Sequence, residues 1–449
     1  MANTTSKFKD RVVIATGIFL ILLAYCFTAG LSLIIPLVLV FYAWHLSLFR
    51  WVDGRRCLHL GFLLTLMMFL GHAMMEYSDF SPYFIPVASV GMLTMLLFND
   101  LQLAFSMSFI SSVVLSLSLG LSLDYCITAF IGGLTGVYIL RDARTRSKIL
   151  LAGCMVGLVQ ALGCFLEHPS FSINFVTEAL SPLFLGGLFS GAVILVTLKV
   201  FETLFGEMTH FSLLELSDSL TQPLLKRLAI EAPGTYHHSL ILSNIAGSAA
   251  DAIGVNALLV RVGAYYHDVG KLVKPMYFTE NQMMKDNKHD DLEPSMSRLV
   301  ILNHVKEGVE IARAYKLNPK IIHFIEQHHG TSLIYYFYQK ALAGDDSESV
   351  DEENYRYPGP RPQTKEVAIV MLADAVEGAT RSLDEHTPAR ISDLVRKVVN
   401  NKFIDGQLDA CNLTLREIDM ICNVFTRELS AMYHVRVKYP QASKKPNGH

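Results

Sequence analysis

The hydrophobic pattern divides the chain into two unlike parts. Residues 12–203 form long apolar runs with few charges, whereas residues 204–440 intersperse apolar and polar positions with a helical period. The apolar runs fall at roughly 12–28, 31–49, 58–75, 82–98, 101–121, 123–140, 149–166 and 182–202. Each approaches the ~20 residues that a helix needs to cross a hydrocarbon core of ~30 Å. Eight membrane spans are therefore predicted. The start MANTTSKFKDR has the look of a signal-peptide n-region, but no A-x-A-like cleavage site follows and further apolar segments do. The expectation is an uncleaved first span.

In the second part, Pro233 and Gly234 open a predicted helix that carries His237 and His238, with apolar positions Leu240, Ile241, Ile245 and Ala249. Further helices are predicted from Asn256 through Tyr266 and at about 293–316, 318–329, 364–384, 388–402 and 414–434. Strand signals are few, so the fold class is all-α throughout. A loop at 344–363, GDDSESVDEENYRYPGPRPQ, interrupts the helices. Its acidic run, Asp345 to Glu353, reads as a solvated, mobile insertion, and the stiffer YPGPRPQ could sit over a pocket. The organisation is thus a transmembrane domain over 1–203, a soluble domain over 204–440 and a flexible tail over 441–449.

Composition agrees with this division. Of 449 residues, 51% are hydrophobic and only 18% are charged, against about a quarter charged in soluble proteins. The net charge of −3 points to no particular partner, a nucleic acid polymer included. Charge matters more through its placement. Lys7, Lys9 and Arg11 precede the first run, Arg50, Arg55 and Arg56 follow the second, and Arg141, Arg144, Arg146 and Lys148 follow the sixth. Glu76, Asp79, Asp124, Glu167 and Glu178 occupy the other loops. Eight spans put every basic cluster on one side with both termini, and the positive-inside rule makes that side cytoplasmic. No span carries a buried pair of opposite charges, which disfavours a transporter. The seven cysteines (Cys26, Cys57, Cys126, Cys154, Cys164, Cys411 and Cys422) form no CxxC pair and read as small buried hydrophobes.

Candidate chemistry concentrates in the soluble part. His238, the adjacent pair His267–Asp268, His304, His328 and Asp374 are N and O donors of the kind that divalent metals take. Gaps of 29, 37 and 24 residues separate the four histidines. These are too long for a local zinc knuckle and suit a bundle whose helices each project one ligand inward. Spacing alone leaves ligation and ordinary structural roles equally open.

The strings around these residues carry a resemblance. HDVGK at 267–271 is the His-Asp signature of the HD phosphohydrolase superfamily. EAPGTYHHSL at 231–240, RVGAYYHDVGK at 261–271, FIEQHHG at 324–330, YPGPRPQTKE at 357–366 and MLADAVE at 371–377 closely resemble the seven-transmembrane HD receptors. That family includes the PgpH-type cyclic di-AMP phosphodiesterases. The resemblance covers essentially all of 204–437 and, more loosely, the spans before it. It implies an all-α cytoplasmic HD domain behind a polytopic anchor in the bacterial cytoplasmic membrane. It assigns His238, His267, Asp268, His304, His328 and Asp374 as ligands of two divalent metal ions, iron or manganese, with Asp268 bridging them. A carboxylate suits the bridge because it has two oxygens, while a neutral imidazole has one free lone pair. The implied reaction is hydrolysis of a cyclic dinucleotide, cyclic di-AMP, to linear 5′-pApA.

Neighbouring residues have two readings each. Successive helical positions point about 100° apart, so His328 and His329 are not expected to face one metal together. His329 could contact phosphate or be structural, and His237 reads as surface. Lys271, one turn past His267, could hold a phosphate oxygen or be an ordinary surface lysine. Asp268, Lys271 and His329 are the catalytic candidates. Glu377 and Arg381 could support Asp374 or form an i, i+4 ion pair. Tyr236, Tyr265, Tyr266, Tyr277 and Phe278 could stack on a base or fill the core. His289 and His323 have no motif support. Members of the family typically carry a large extracellular domain after the first span, and here the first two runs meet near Gly30. Sensing within the membrane is one remaining role for the spans, and anchoring a homodimer is another. The alternatives are an HD enzyme of another nucleotide, such as (p)ppGpp or a dNTP, and a receptor that binds nucleotide without cleaving it.

Overall fold

The computed structural model describes residues 54–167, 172–282, 288–290, 292–343 and 350–433. Helices account for nearly all of its regular structure. The chain divides into two compact units, Met1–Ser212 and Leu213–His449.

Among the described residues of the first unit, five helices are long and apolar enough to cross a membrane. These are α1 (Gly54–Tyr77), α3 (Leu101–Leu119), α4 (Leu123–Leu140), α5 (Ser147–Glu167) and α6 (Ser181–Phe205). The predicted span at 82–98 is broken. A 3-10 turn, Pro82–Phe84, precedes a helix α2 of only 11 residues, Ala88–Phe98, because Pro82 and Pro86 lack the N–H that would continue a ladder. At 1.5 Å per residue, α2 is about 16 Å long, short of the ~30 Å core, and it is buried along its length. The runs at 12–28 and 31–49 lie outside the described residues.

Several buried polar side chains in this unit bond to main-chain carbonyls of their own or a neighbouring helix, as an apolar solvent demands. Ser108, Ser112 and Ser116 donate to the carbonyls four residues back, and Gln160 Nε2 donates to the Thr128 carbonyl at 3.2 Å. Lys199 and Glu202 pair at 3.5 Å, but not as a buried pair of opposite charges. The pair sits in the last turns of α6, with Glu202 buried and Lys199 exposed, one turn apart along the same helix.

The second unit builds its core around one helix. α7 (Pro223–Glu231), α8 (Pro233–Ile253), α9 (Ala257–Tyr266), α10 (Pro294–Ala314), α11 (Pro319–Gln327), α12 (Tyr335–Leu342), α13 (Lys365–Arg381), α14 (Pro388–Ile404) and α15 (Leu415–Met432) follow in order. Leu242, Ala246, Val260, Ala264, Ile369, Leu372, Val376, Val395, Ile421 and Phe425 are fully buried together. α13 supplies three of these ten and runs through the middle. Capping residues fix the boundaries: Asn256, Thr364, Thr387 and Thr414 each accept a first-turn N–H. The loop expected at 344–363 is partly ordered. Residues 344–349 lie outside the described residues, while Glu352–Tyr355 form a 3-10 turn and Glu352, still exposed, pairs with Arg356 at 2.7 Å.

Candidate metal centre

Local backbone chemistry sets each candidate donor in place. Pro233 starts α8, and Gly234 lies so close to the Glu280 carbonyl that a Cβ would stand 1.8 Å from it. His238 follows one turn later. α9 ends at Tyr266, and Asp268 takes φ −108° and ψ 17°, leading into a 3-10 turn, Val269–Val273. Gly270 in that turn meets α10 backbone to backbone, since a Cβ would stand 1.8 Å from the carbonyl of His304. The glycine of HDVGK thus lets the His-Asp corner touch the helix that carries His304. His328 caps α11, and Asp374 lies within α13.

These elements converge. His238, His267, His304, His328 and Asp268 are buried, and Asp374 is 19% exposed. Asp268 divides its oxygens between two groups. Its Oδ2 lies 3.1 Å from His267 Nε2, and its Oδ1 lies 3.4 Å from His304 Nε2 and 3.6 Å from His328 Nε2. Asp374 Oδ1 is 3.1 Å from His238 Nε2 and 3.9 Å from His267 Nε2.

Three imidazoles share one orientation device. His267 Nδ1 donates to the Ala264 carbonyl at 2.7 Å, His328 Nδ1 to the Ile325 carbonyl at 2.8 Å, and His304 Nδ1 to the Ile301 carbonyl. Each carbonyl lies three residues back on the same chain. Donation from Nδ1 leaves Nε2 as a lone pair aimed at Asp268. His238 differs: its Nδ1 sits 3.0 Å from Glu377 Oε2 and 3.0 Å from Arg381 Nη2, and Arg381 Nε donates to Glu377 Oε1 at 2.7 Å. The i, i+4 ion pair of Glu377 and Arg381 forms as read, but the donor it backs is His238 rather than Asp374.

A metal fits this donor set. His267 Nε2 and Asp268 Oδ1 are fully buried and lack a hydrogen-bond partner, an arrangement that costs ~1–3 kcal/mol unless something else binds them. Donor atoms of Asp268, His304, His328 and His329 lie within 4.8 Å of one another, as do those of His238, His267 and Asp268. The inclusion of His329 corrects the expectation that adjacent histidines diverge. α11 ends at Gln327, so the 100° step does not extend past His328, and the two rings sit 4.0 Å apart.

Electrostatics favour the ligating protonation states of Asp268, Asp374, His304 and His329, while His238 stays protonated until a metal displaces its proton. Burial disfavours the Asp268 anion, but His267 and Lys271 outweigh it and hold the carboxyl well below the usual range. Burial drives His304 down to about 4 and His329 well below its ordinary value, so both are neutral at pH 7. At His238, burial opposes the cation, yet the Asp374 and Glu377 carboxylates raise it to about 10. Burial works against the Asp374 anion also, and His238 holds it far down.

Lys271 is not a surface lysine. Its Nζ lies 2.7 Å from Asp268 Oδ2 and 2.7 Å from Glu280 Oε1. Thr235 Oγ1 donates to the same Glu280 oxygen at 3.1 Å. Glu280 carried no motif and was missed, because it sits among irregular 3-10 turns nine residues beyond Lys271. Tyr357 was also missed, although its segment was noticed. It stacks on His329 with centroids 4.2 Å apart. The YPGPRPQ segment is tied to the turn after His329 by Tyr357 N to the Ser332 carbonyl (3.0 Å) and Arg361 Nε to Thr331 Oγ1 (3.3 Å). Of the aromatic candidates, Phe278 stands edge-on to His304 with Lys271 Nζ 5.0 Å from its ring centroid. Tyr266 is core, its hydroxyl bonded to the Leu216 carbonyl. His237 is exposed, and His289 is buried and bonded to the Tyr277 carbonyl. A cavity of about 350 Å³ opens beside the cluster, lined by His238, Lys271, Glu280, Asp374 and Arg381 among others.

Known proteins share both parts. Residues 19–209 match the family model described as 7TM receptor with intracellular HD hydrolase, and residues 235–379 match the HD domain model. The chain belongs to the seven-transmembrane HD family. Among its relatives, the cyclic-di-AMP phosphodiesterase PgpH of Bacillus subtilis is 38% identical over 385 residues, 83% of this chain and 53% of that protein. The Listeria monocytogenes protein of the same name is 41% identical over 365 residues, 80% of this chain and 50% of its own length. This seven-transmembrane HD chain therefore spans about half the length of the curated relatives it matches. The crystal structure of the L. monocytogenes PgpH HD domain in complex with cyclic-di-AMP covers 47% of this chain and 98% of its own, at 46% identity and a TM-score of 0.46. An HD domain implies divalent metal binding, and the His/Asp cluster is where this family member carries the donors for it.

Proposed function

We propose that this protein is a membrane-anchored phosphodiesterase that opens cyclic di-AMP to 5′-pApA, with its HD domain on the cytoplasmic side of a bacterial inner membrane. The observation that carries this reading is the two-sided Asp268, one oxygen facing His267 and the other facing His304 and His328. The two relatives named for this activity add the substrate. The cytoplasmic orientation rests on the placement of the Lys/Arg clusters.

In this reading, His238, His267, Asp374 and Asp268 would hold one divalent ion, and His304, His328 and the same Asp268 would hold a second. Iron or manganese suits imidazole and carboxylate donors. When bound, the two ions neutralise the anionic diester and make a water acidic enough to react near pH 7. The chain's own residues prepare the site. Main-chain carbonyls hold three imidazoles with Nε2 inward, Lys271 fixes Asp268 between the two groups, and the Glu377–Arg381 pair holds His238. A third Lys271 N–H remains for a phosphate oxygen. His329, stacked on Tyr357, stands beside the second group, where it can meet the same phosphate. Water adds to phosphorus opposite the 3′ oxygen, the bond to that oxygen breaks, and the proton lost by water ends on the leaving ribose hydroxyl.

The test uses the full chain in detergent, loaded with Mn²⁺ or Fe²⁺ and given cyclic di-AMP, cyclic di-GMP and ppGpp separately, with products identified by mass. The expected result is 5′-pApA from cyclic di-AMP at the highest rate. Turnover of ppGpp alone, or binding of all three without turnover, would defeat the assignment.

A further inference from the structure

A cyclic dinucleotide brings two phosphodiesters, and only one can be cut at the metal centre at a time. The other half of the ring needs a seat. The cavity beside the centre has one wall made by a single face of α13: Asp374, then Gly378 four residues on, then Arg381 and Ser382. At 1.5 Å per residue, Gly378 lies about 6 Å and Arg381 about 10 Å along the helix from Asp374.

Gly378 is the unexplained residue on this wall. Glycine is among the poorest helix formers, so one inside a helix usually marks a close approach. The other described helical glycines of this unit obey that rule. A Cβ would stand 1.8 Å from Glu280 at Gly234, 2.5 Å from Arg261 at Gly247, 2.4 Å from Phe324 at Gly263 and 2.7 Å from Ile325 at Gly308. At Gly378 a Cβ would meet nothing within 4 Å. Among the described residues no atom needs the space, and Gly378 lines the cavity. Arg381 stands at the far end of the same face, 40% exposed. Arg381 Nε donates to Glu377 and its Nη2 lies 3.0 Å from His238 Nδ1, which leaves at least three of its five N–H donors. The wall's carboxylates are already engaged: Glu280 with Lys271, Asp374 with His238 and Glu377 with Arg381.

We infer that the Asp374–Gly378–Arg381 face is the subsite for the uncut half of the substrate. Gly378 leaves room for its nucleoside, and Arg381 binds its phosphodiester. This rests on the functional reading above and adds the basis on which a dinucleotide is preferred to a smaller phosphate ester.

The experiment measures Michaelis kinetics of the Mn²⁺-loaded full chain on cyclic di-AMP. Gly378→Ala and Gly378→Leu both favour helix, so folding is not at risk, and metal content is measured alongside. The expected result is a KM that rises with side-chain size, by tenfold or more for Leu. A smaller rise for Leu, or a loss carried by kcat alone, overturns the subsite. Arg381→Gln tests the phosphate contact. The dependence of log KM on log salt should flatten, because one screened charge pair is gone; an unchanged slope removes Arg381 from the proposal. If the unaltered protein does not open cyclic di-AMP, the functional reading fails and takes this subsite with it. An active protein with indifferent Gly378 variants fails the subsite alone.

Discussion

Asp268 has two tasks that one substitution separates from folding. Asn keeps its size and one carbonyl oxygen but removes the charge shared between the two imidazole groups. Asp268→Asn should lower turnover at least hundredfold, about 2.7 kcal/mol of barrier, and reduce bound metal as read by elemental analysis. An active variant would contradict the two-sided role. The histidines carry a pH signature in the metal-free protein. Burial holds His304 at about 4 and lowers His329 as well, whereas an unfolded histidine titrates near ~6.5. Between those values the unfolded chain takes up protons that the folded chain refuses. Stability should therefore fall as pH falls from about 6.5 to 4, by ~1.4 kcal/mol per unit for each such histidine. His238 has the opposite sign. Raised to about 10, its contribution is complete below ~6.5 and is lost only as pH rises through 10. Melting temperatures of chelator-treated protein against pH measure this, and His304→Asn should flatten the acid limb. At this scale five of the six candidate donors lie in motif strings, and His304 was reached through the family resemblance alone. The sequence did not announce Glu280 or Tyr357, whose roles come from chain reversals that no periodic pattern encodes.

Between elements, the decisive joint is glycine against glycine. Gly270 sits against the His304 carbonyl and the Gly308 amide, where a Cβ would stand 1.8 and 2.6 Å away. Gly270→Ala must push the His-Asp corner off α10, with an expected loss of about 1–3 kcal/mol. It should also weaken metal binding, because Asp268 and His304 would separate; calorimetric melts and metal titration report the two effects. The long helices were legible, since α8, α9, α13, α14 and α15 begin at Pro, Asn or Thr signals within a residue or two of their predicted starts. α7 and α12, of 9 and 8 residues, were not read, although α11, also of 9 residues, was. The break ahead of α2 follows from Pro82 and Pro86, which hydropathy averaging ignores.

Across the whole molecule, the open matter is which loops share a side with the catalytic unit. Asp79 and Thr145 are both exposed, and α2, α3 and α4 lie between them. If all three cross the membrane, the two loops face opposite sides. A membrane-impermeant maleimide on intact cells should then label Asp79→Cys and spare Thr145→Cys, in a background whose native cysteines are replaced. Equal labelling would mean that the short α2 does not cross. Charge at this scale also gives meaning to the carbonyl-anchored imidazoles. The chain is net negative at −3, and its cleft already holds four acids, Asp268, Asp374, Glu280 and Glu377, against two bases, Lys271 and Arg381. Had acids stood behind His267, His304 and His328, three more negative charges would confront an incoming polyanion. Peptide oxygens steer those rings while adding no formal charge, and His238, the ring that does lean on an acid, has an arginine to cancel it. The fold thus keeps this acid-lined cleft approachable to a ligand of the same sign.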